Sequence, residues 1–442
     1  MYAPAGPDSG LLTPVRAGTR VERITDGGAW LQAVLDAETI CVRARARLGL
    51  TPAAHAELIA ATACADRFPL AELARRARGA ANPVVVVAEA LLLAVAEQDP
   101  TAAQALHCGY TSQDVLDTAT MLVARRALDV IRADLDHAAQ VLADLAEEHR
   151  ATPLPAGALG REVMPVTVGL KAAGWLSGLL TAAEHLDRTA AGLPVRLGGA
   201  AEVLAGCLEQ ARPHPGPGLT DHDLVARAQR LMAARAHEAG LAGGLTWAAG
   251  RFPVAELGAT LALVAAALGE IAVGVQALTR RETAEASEPG AIAHGASAAM
   301  PYERNPALAA MVRAAALQVP AHALLLFQSL AAEEERPGGA WHAEWPPLRE
   351  CLRLTGGAAE AMAHLLDGVR PYVTAMRRAA EGGGAEAEQM GPPGPLSHMG
   401  ASAVLTDHLV AHYRDRSAPS GQTRKPSSSP EPSSEWTARF VG

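Results

Sequence analysis

Residues 111–150 read TSQDVLDTATMLVARRALDVIRADLDHAAQVLADLAEEHR, and from Ser112 to Arg150 they contain neither glycine nor proline. Leu128, Leu135 and Leu142 recur at heptad spacing, and Ile131, Ala138 and Leu145 form a second series at the same interval. Two interleaved apolar series of this kind make the seam along which one long helix packs against others. Thr111 followed by Asp114 has the pattern of a capping box, which gives the helix a defined start. About 38 residues at about 1.5 Å each make a rod of about 57 Å. A rod that long implies a bundle, shared between subunits.

The flanking sequence extends the same pattern. Helices are expected at 29–48, 53–63, 69–78 and 84–98, then at 165–191, 246–281 and 306–334, where Asn305 would cap and Pro306 would open the last of them. A Pro/Gly loop is expected at 210–220, and Pro320 should bend its helix. The expected fold class is all-α: an N-terminal helical region (1–105), a central long-helix bundle (106–338), a C-terminal helical region (339–415) and a disordered Ser/Pro-rich tail (416–442). Composition agrees, because 49% of the chain is hydrophobic, much of it alanine, while aromatic residues make up only 3%. Such a chain favours closely packed helices over sheets.

Charge narrows the partners. A net charge of −9 without any basic stretch argues against nucleic acid. Apolar runs such as Val84 to Val95 are too short to span a bilayer, so no membrane is expected and a cytoplasmic location is. The five cysteines are scattered, without CxxC spacing, so reduced thiols are expected rather than a disulfide framework or zinc site.

Three polar segments fall where helices begin or end: His107-Cys108-Gly109-Tyr110-Thr111-Ser112-Gln113-Asp114, Gly198-Gly199-Ala200-Ala201, and the run GASAAMPYERNP at 295–306. Hydroxyls and N–H groups at a helix N-terminus attract anions. A loop of small residues can close over a ligand. Their order and spacing resemble the fumarase/aspartase superfamily, homotetrameric lyases built on a shared bundle of long helices. HCGYTSQDVLDTA matches its H-x-G-x-T-S-Q-D-x-x-D-T segment, and ASAAMPYERNP its G-S-S-x-M-P-x-K-x-N-P signature. Within it the 3-carboxy-cis,cis-muconate cycloisomerases are the nearest branch, through PVTVGLKAAGWL (165–176), RLGGAAEVLA (196–205), GAWHAEWPPLRECLRLTGGAAE (339–360) and SHMGASAVLTDHLVAHYR (397–414).

The resemblance implies the site. Ser297 would take the proton α to a substrate carboxylate, and His107 would stand near the leaving group or nucleophile. Thr111, Ser112, Gln113, Arg251, Arg304 and Asn305 would hold carboxylates. No cofactor or metal is implied. The partner is a small di- or tricarboxylate, and active sites are shared within a homotetramer. The implied activity is lactonisation of 3-carboxy-cis,cis-muconate, a step of protocatechuate breakdown. The alternatives are a lyase that releases fumarate from another substituted succinate, and a catalytically impaired relative.

Departures from the pattern set these alternatives apart. Glu303 stands where the signature has lysine, Ala298 replaces its second serine, and Ala156 to Arg161 replaces G-R-T-[HW]-x-Q, with Leu159 at the histidine or tryptophan position. The usual W-H-x-x-R-D reads Trp247 to Phe252. One unit charge about 6 Å away at an effective dielectric near 20 is worth roughly 3 kcal/mol, and Lys to Glu changes the local charge by two units. Arg161, at the glutamine position, is expected to pair with Glu303 or to stand in for the lost lysine.

Overall fold

The computed structural model describes residues 10–158, 161–199, 220–243, 247, 250–280, 285–288, 305–331, 334, 338–381 and 399–417, with backbone alone at 157, 158, 161–164, 221, 224 and 417. The chain is all-α. An N-terminal group comprises α1 (Arg20–Ile24), α2 (Gly27–Arg47), α3 (Ala53–Thr62), α4 (Leu70–Ala80), α5 (Pro83–Ala96) and α6 (Pro100–Ala103). The long helices are α7 (Ser112–Glu148), α8 (Val168–Gly192), α9 (Asp221–Ala239), α10 (Phe252–Leu278), α11 (Ala307–Gln328) and α12 (Ala340–Gly368), followed by α13 (Val373–Glu381) and α14 (Ser402–Ser417).

Helix α7 begins and packs as its sequence dictates. The Thr111 hydroxyl accepts from the Asp114 N–H while Asp114 accepts from the Thr111 N–H, closing the capping box. Leu128, Ile131, Leu135, Ala138 and Leu142 are buried, and Leu145 is half-buried at the end of the seam. Each fully buried leucine or isoleucine contributes about 1.5–3 kcal/mol. The bundle forms by α7 packing on α8 and α12, by α10 packing on α8, α11 and α12, and by α11 packing on α12. Small residues allow the close approaches: a Cβ on Gly269 of α10 would lie 2.6 Å from the Ala316 Cβ of α11.

Three features depart from expectation. The segment before α8 is an antiparallel hairpin, β1 (Pro153–Ala158) with β2 (Arg161–Thr167), in which Pro155 faces Pro165 and the register shifts at Ala156/Gly157. A second pair, β3 (Ala286–Ser287) and β4 (Arg370–Pro371), is minimal. The last bundle helix starts one residue later than expected, with Pro306 in the capping position, and ends at Gln328. The Glu288 carboxylate caps it, accepting from the N–H groups of Leu308 (3.2 Å) and Ala309 (3.0 Å). The loop expected at 210–220 lies outside the described residues save Thr220, which caps α9.

The run Val84 to Val95 is not the longest apolar stretch. Helices α10 and α11 are each long and apolar enough to cross a membrane by length and composition alone, with mean hydropathies of 2.0 and 1.5. In the bundle, half of the apolar window of α10 is buried. Leu263 and Val273 of α10 and Leu317, Leu324 and Phe327 of α11 are exposed on the single chain.

Close packing makes a first prediction. A Cβ on Gly357 of α12 would run into the backbone carbonyl of Val15. Backbone cannot rotate aside, so Gly357→Ala is expected to destabilise by about 1–3 kcal/mol and to lower the melting temperature in a thermal scan. An unchanged melt would mean that the 10–19 segment is not seated on α12.

Candidate active site

The N-terminus of α7 brings together two of the three polar segments, 107–114 and the described Gly198-Gly199. Asp114 is fully buried. Its carboxylate accepts from the Thr111 N–H (2.8 Å), Arg196 Nη1 (2.9 Å), and the N–H groups of Gly198 (2.8 Å) and Gly199 (3.1 Å). Gly199 sits at φ +74°, a conformation that lets its N–H turn toward the carboxylate. The Gly198-Gly199 segment is thereby tied directly to the first turn of α7. The neighbouring Ser112 Oγ accepts from Asn82 Nδ2 at 2.8 Å, and the Asn82 Oδ1 caps α5 through the Val84 N–H. Thr111 and Ser112 are half-buried, so this helix end, with its N–H groups and dipole, is reachable by an anion.

One helical turn further on, a second buried network begins. Asp117 accepts from Arg251 Nη1 (2.7 Å) and Nη2 (3.0 Å), and from the indole N–H of Trp341 (3.0 Å). Arg251 also donates from Nε (3.0 Å) and Nη2 (2.7 Å) to Glu344. Its guanidinium lies 4.9 Å from the centroid of the Trp247 ring, whose own N–H donates to the Val195 carbonyl at 3.3 Å. Burial disfavours the Arg251 charge, yet Asp117 and Glu344 hold it above its usual range. Burial lifts the Glu344 carboxyl above the ordinary range, opposed by its bonds to Arg251. The network ties α7, the start of α10, the 195–199 segment and α12 together.

His107 stands on the other side of the α7 N-terminus. It has φ +53°, uncommon for a residue other than glycine, and its N–H donates to the Tyr110 hydroxyl at 3.0 Å. Its Nδ1 lies 2.9 Å from Oε1 of Glu38, a residue of α2 with no exposed surface. The Tyr110 hydroxyl donates to Oε2 of the same carboxylate at 2.7 Å. The hydrogen bond to Glu38 raises the His107 pKa, against the effect of burial.

The expected site residues are therefore distributed as follows. His107, Thr111, Ser112 and Gln113 cluster at the start of α7, with Gln113 buried. Asn305 is exposed just ahead of α11. Arg251, expected to hold a substrate carboxylate, is instead 1% exposed with its donors committed to Asp117 and Glu344. Ser297, Arg304, Glu303 and the Arg161 side chain lie outside the described residues. Sequence reasoning did not reach Glu38, Asn82 or Glu288 as site residues, and gave no role to Asp117, Arg196 and Glu344, which lie in segments that carry the resemblance. The available signal for Glu38 was an acid among apolar positions of α2, and for Asp117 its place as the second aspartate of the D-x-x-D-T segment.

The long-helix bundle thus carries the 107–111 loop and the 195–199 segment to the N-terminus of α7, over buried Asp–Arg pairs. Comparison with known proteins identifies the class. Residues 18–214 match the model of the lyase family. The chain is 53% identical to the nitrosuccinate lyase of Streptomyces davaonensis over 371 residues, covering 84% of this chain and 76% of that one. It is 36% identical to the 3-carboxy-cis,cis-muconate cycloisomerase of Bradyrhizobium diazoefficiens, over 84% of this chain and 78% of that one. The crystal structure of 3-carboxy-cis,cis-muconate lactonizing enzyme from Pseudomonas putida superposes with a TM-score of 0.80 at 26% identity, covering 92% of this chain and 99% of that one. The chain belongs to the lyase family of the fumarase/aspartase superfamily. Within it, the nitrosuccinate lyase is more similar to this chain than is the cycloisomerase.

Proposed function

We propose that the protein is a fumarate-forming lyase acting on a 2-substituted succinate, with nitrosuccinate as substrate. In this reaction Ser297 takes a proton from C3, α to the C4 carboxylate. The electron pair forms the C2=C3 double bond, the C–N bond breaks, and nitrite departs with the bonding pair. Nitrosuccinate is thereby converted to fumarate, nitrite and one proton. The observation that carries the reading is the 53% identity to a nitrosuccinate lyase. The α7 N-terminus with Ser112, Asn305 ahead of α11, and Arg304 are the proposed carboxylate holders; Thr111 and Gln113 support them as cap and first-turn packing. Arg251 is proposed as part of the floor beneath them. No cofactor enters the scheme.

The second reading, lactonisation of 3-carboxy-cis,cis-muconate, draws support from the 36% identity and the TM-score of 0.80. Charge separates the two. Carboxymuconate brings three carboxylates and nitrosuccinate two, and Glu303 at the signature lysine position adds a negative charge that the more highly charged substrate tolerates less. The exposed apolar faces of α10 and α11 fit assembly with further copies in a homotetramer that shares its active sites.

The test is to offer both substrates to the purified oligomer. Release of nitrite and fumarate in equal amounts from nitrosuccinate supports the first reading. Loss of the diene absorbance of carboxymuconate, without nitrite release from nitrosuccinate, replaces it with the second. A folded oligomer inert to both leaves the impaired-relative reading.

A further inference from the structure

The Glu38–Tyr110–His107 cluster is more elaborate than helix capping requires. Glu38 sits among the buried residues Leu35, Ala37, Cys41 and Val42 of α2, where a carboxylate is costly unless it is hydrogen-bonded. It receives two donors, both from the loop that carries His107. The ring of His107 is edge-on to Tyr110 at 5.1 Å, and Arg235 of α9 lies 5.5 Å from the Tyr110 ring centroid. With Nδ1 turned to Glu38, the side chain keeps 36% of its surface exposed, and Nε2 has no partner among the described residues. The left-handed backbone at His107 is held by this cluster, through the N–H to the Tyr110 hydroxyl.

Resting on the proposed lyase reaction, we infer that Glu38 is a positioning residue: it accepts the Nδ1 proton of His107 and the Tyr110 hydroxyl, and so presents the imidazolium Nε2–H to the anionic group that leaves the substrate. Nitrite is a weak base and departs without a proton, so the leaving group requires a fixed cation rather than a general acid. The hydrogen bond to buried Glu38 favours the cationic form of His107, against the effect of burial. The charged and titratable groups around it are Glu38 and Cys41 on α2, Tyr110 in its own loop, Asp114 on α7 and Arg235 on α9. Burial pushes the Cys41 thiol up to about 12, so it stays neutral across the working range.

The first measurement needs no substrate. Carbethoxylation of His107 by diethyl pyrocarbonate follows the neutral imidazole, and peptide mass spectrometry across a pH series gives its midpoint in the intact oligomer. Glu38→Gln keeps the shape and removes the charge, and is expected to lower that midpoint by about one to three pH units. Tyr110→Phe removes one donor from the same carboxylate, strengthens it as a partner for His107, and is expected not to lower the midpoint. A midpoint unmoved in Glu38→Gln overturns the inference whatever the substrate proves to be. Should Glu38→Gln fail to fold, Glu38→Asp takes its place: it keeps the charge but draws it back from Nδ1, and is expected to lower the midpoint by less than the Gln change would. The second measurement is turnover. Glu38→Gln is expected to reduce kcat on nitrosuccinate about 10- to 100-fold with KM little changed, and to move the alkaline limb of the pH profile by the shift seen in the labelling. A moved midpoint with unchanged kcat overturns the leaving-group role and leaves the lyase reading standing.

Discussion

Arg251→Ala is expected to leave the protein aggregated or unfolded at ordinary temperature. The substitution removes a guanidinium that donates to both oxygens of Asp117 and to Glu344, all three residues being nearly without exposed surface. Buried Glu344 would lose its cation, and buried Asp117 would keep Arg196 alone as a cation among the described residues, its Nε 3.5 Å away. Breaking one buried ion pair by deleting a partner costs about 3–5 kcal/mol, and a protein of ordinary stability holds only about 5–15 kcal/mol in reserve. The loss also reaches across the fold, because Asp117 of α7 and Glu344 of α12 are joined through this one side chain, leaving at this point the direct Trp341–Asp117 bond between the two helices. Arg251→Lys keeps the charge but not the forked donor geometry, and is expected to fold with a lowered melting temperature. The measurement is soluble yield and thermal denaturation of both variants. A folded Arg251→Ala protein with only a raised KM would restore the sequence-based expectation that Arg251 binds substrate.

The contrast between the two readings of Arg251 marks how far sequence reasoning reaches here. The seam of α7 and its capping box were legible because both are local: an apolar repeat and a pair three residues apart state their own geometry. The resemblance to the lyases was legible from short segments, and the family match agrees with it. The ion network was not legible, because Asp117 and Arg251 are 134 positions apart and Arg251 and Glu344 are 93 apart. A motif arginine looks the same in sequence whether it faces a substrate or a buried carboxylate. The β1–β2 hairpin was hidden by Pro153, Pro155 and Pro165, which depress strand propensity. Glu38 could be seen only as an acid among apolar neighbours, and its meaning appears once Tyr110 and His107 are brought to it.

Ser297→Ala is expected to lower kcat on nitrosuccinate by about 10²–10⁴-fold, the contribution typical of a positioned acid or base. The melting temperature and KM should hardly change, because the substitution removes one oxygen from a run already rich in alanine and glycine. The chemistry explains why the loss should fall on kcat. A serine oxygen is a weak base at its ordinary pKa and needs nearby positive charge to act as one. Removing the C3 proton builds charge on the C4 carboxylate, so the base acts only as that charge develops and contributes little to binding the ground state. Ala298 fills the position of the second signature serine, so no adjacent hydroxyl stands ready to substitute. Steady-state kinetics with nitrite detection, beside a thermal scan, separates the outcomes. Undiminished kcat in a normally folded Ser297→Ala protein would remove the serine from the mechanism and move the search for the base to other residues at the start of α7. A loss confined to kcat would support Ser297 as the base at C3, beside the proposed role of His107 toward the group leaving C2.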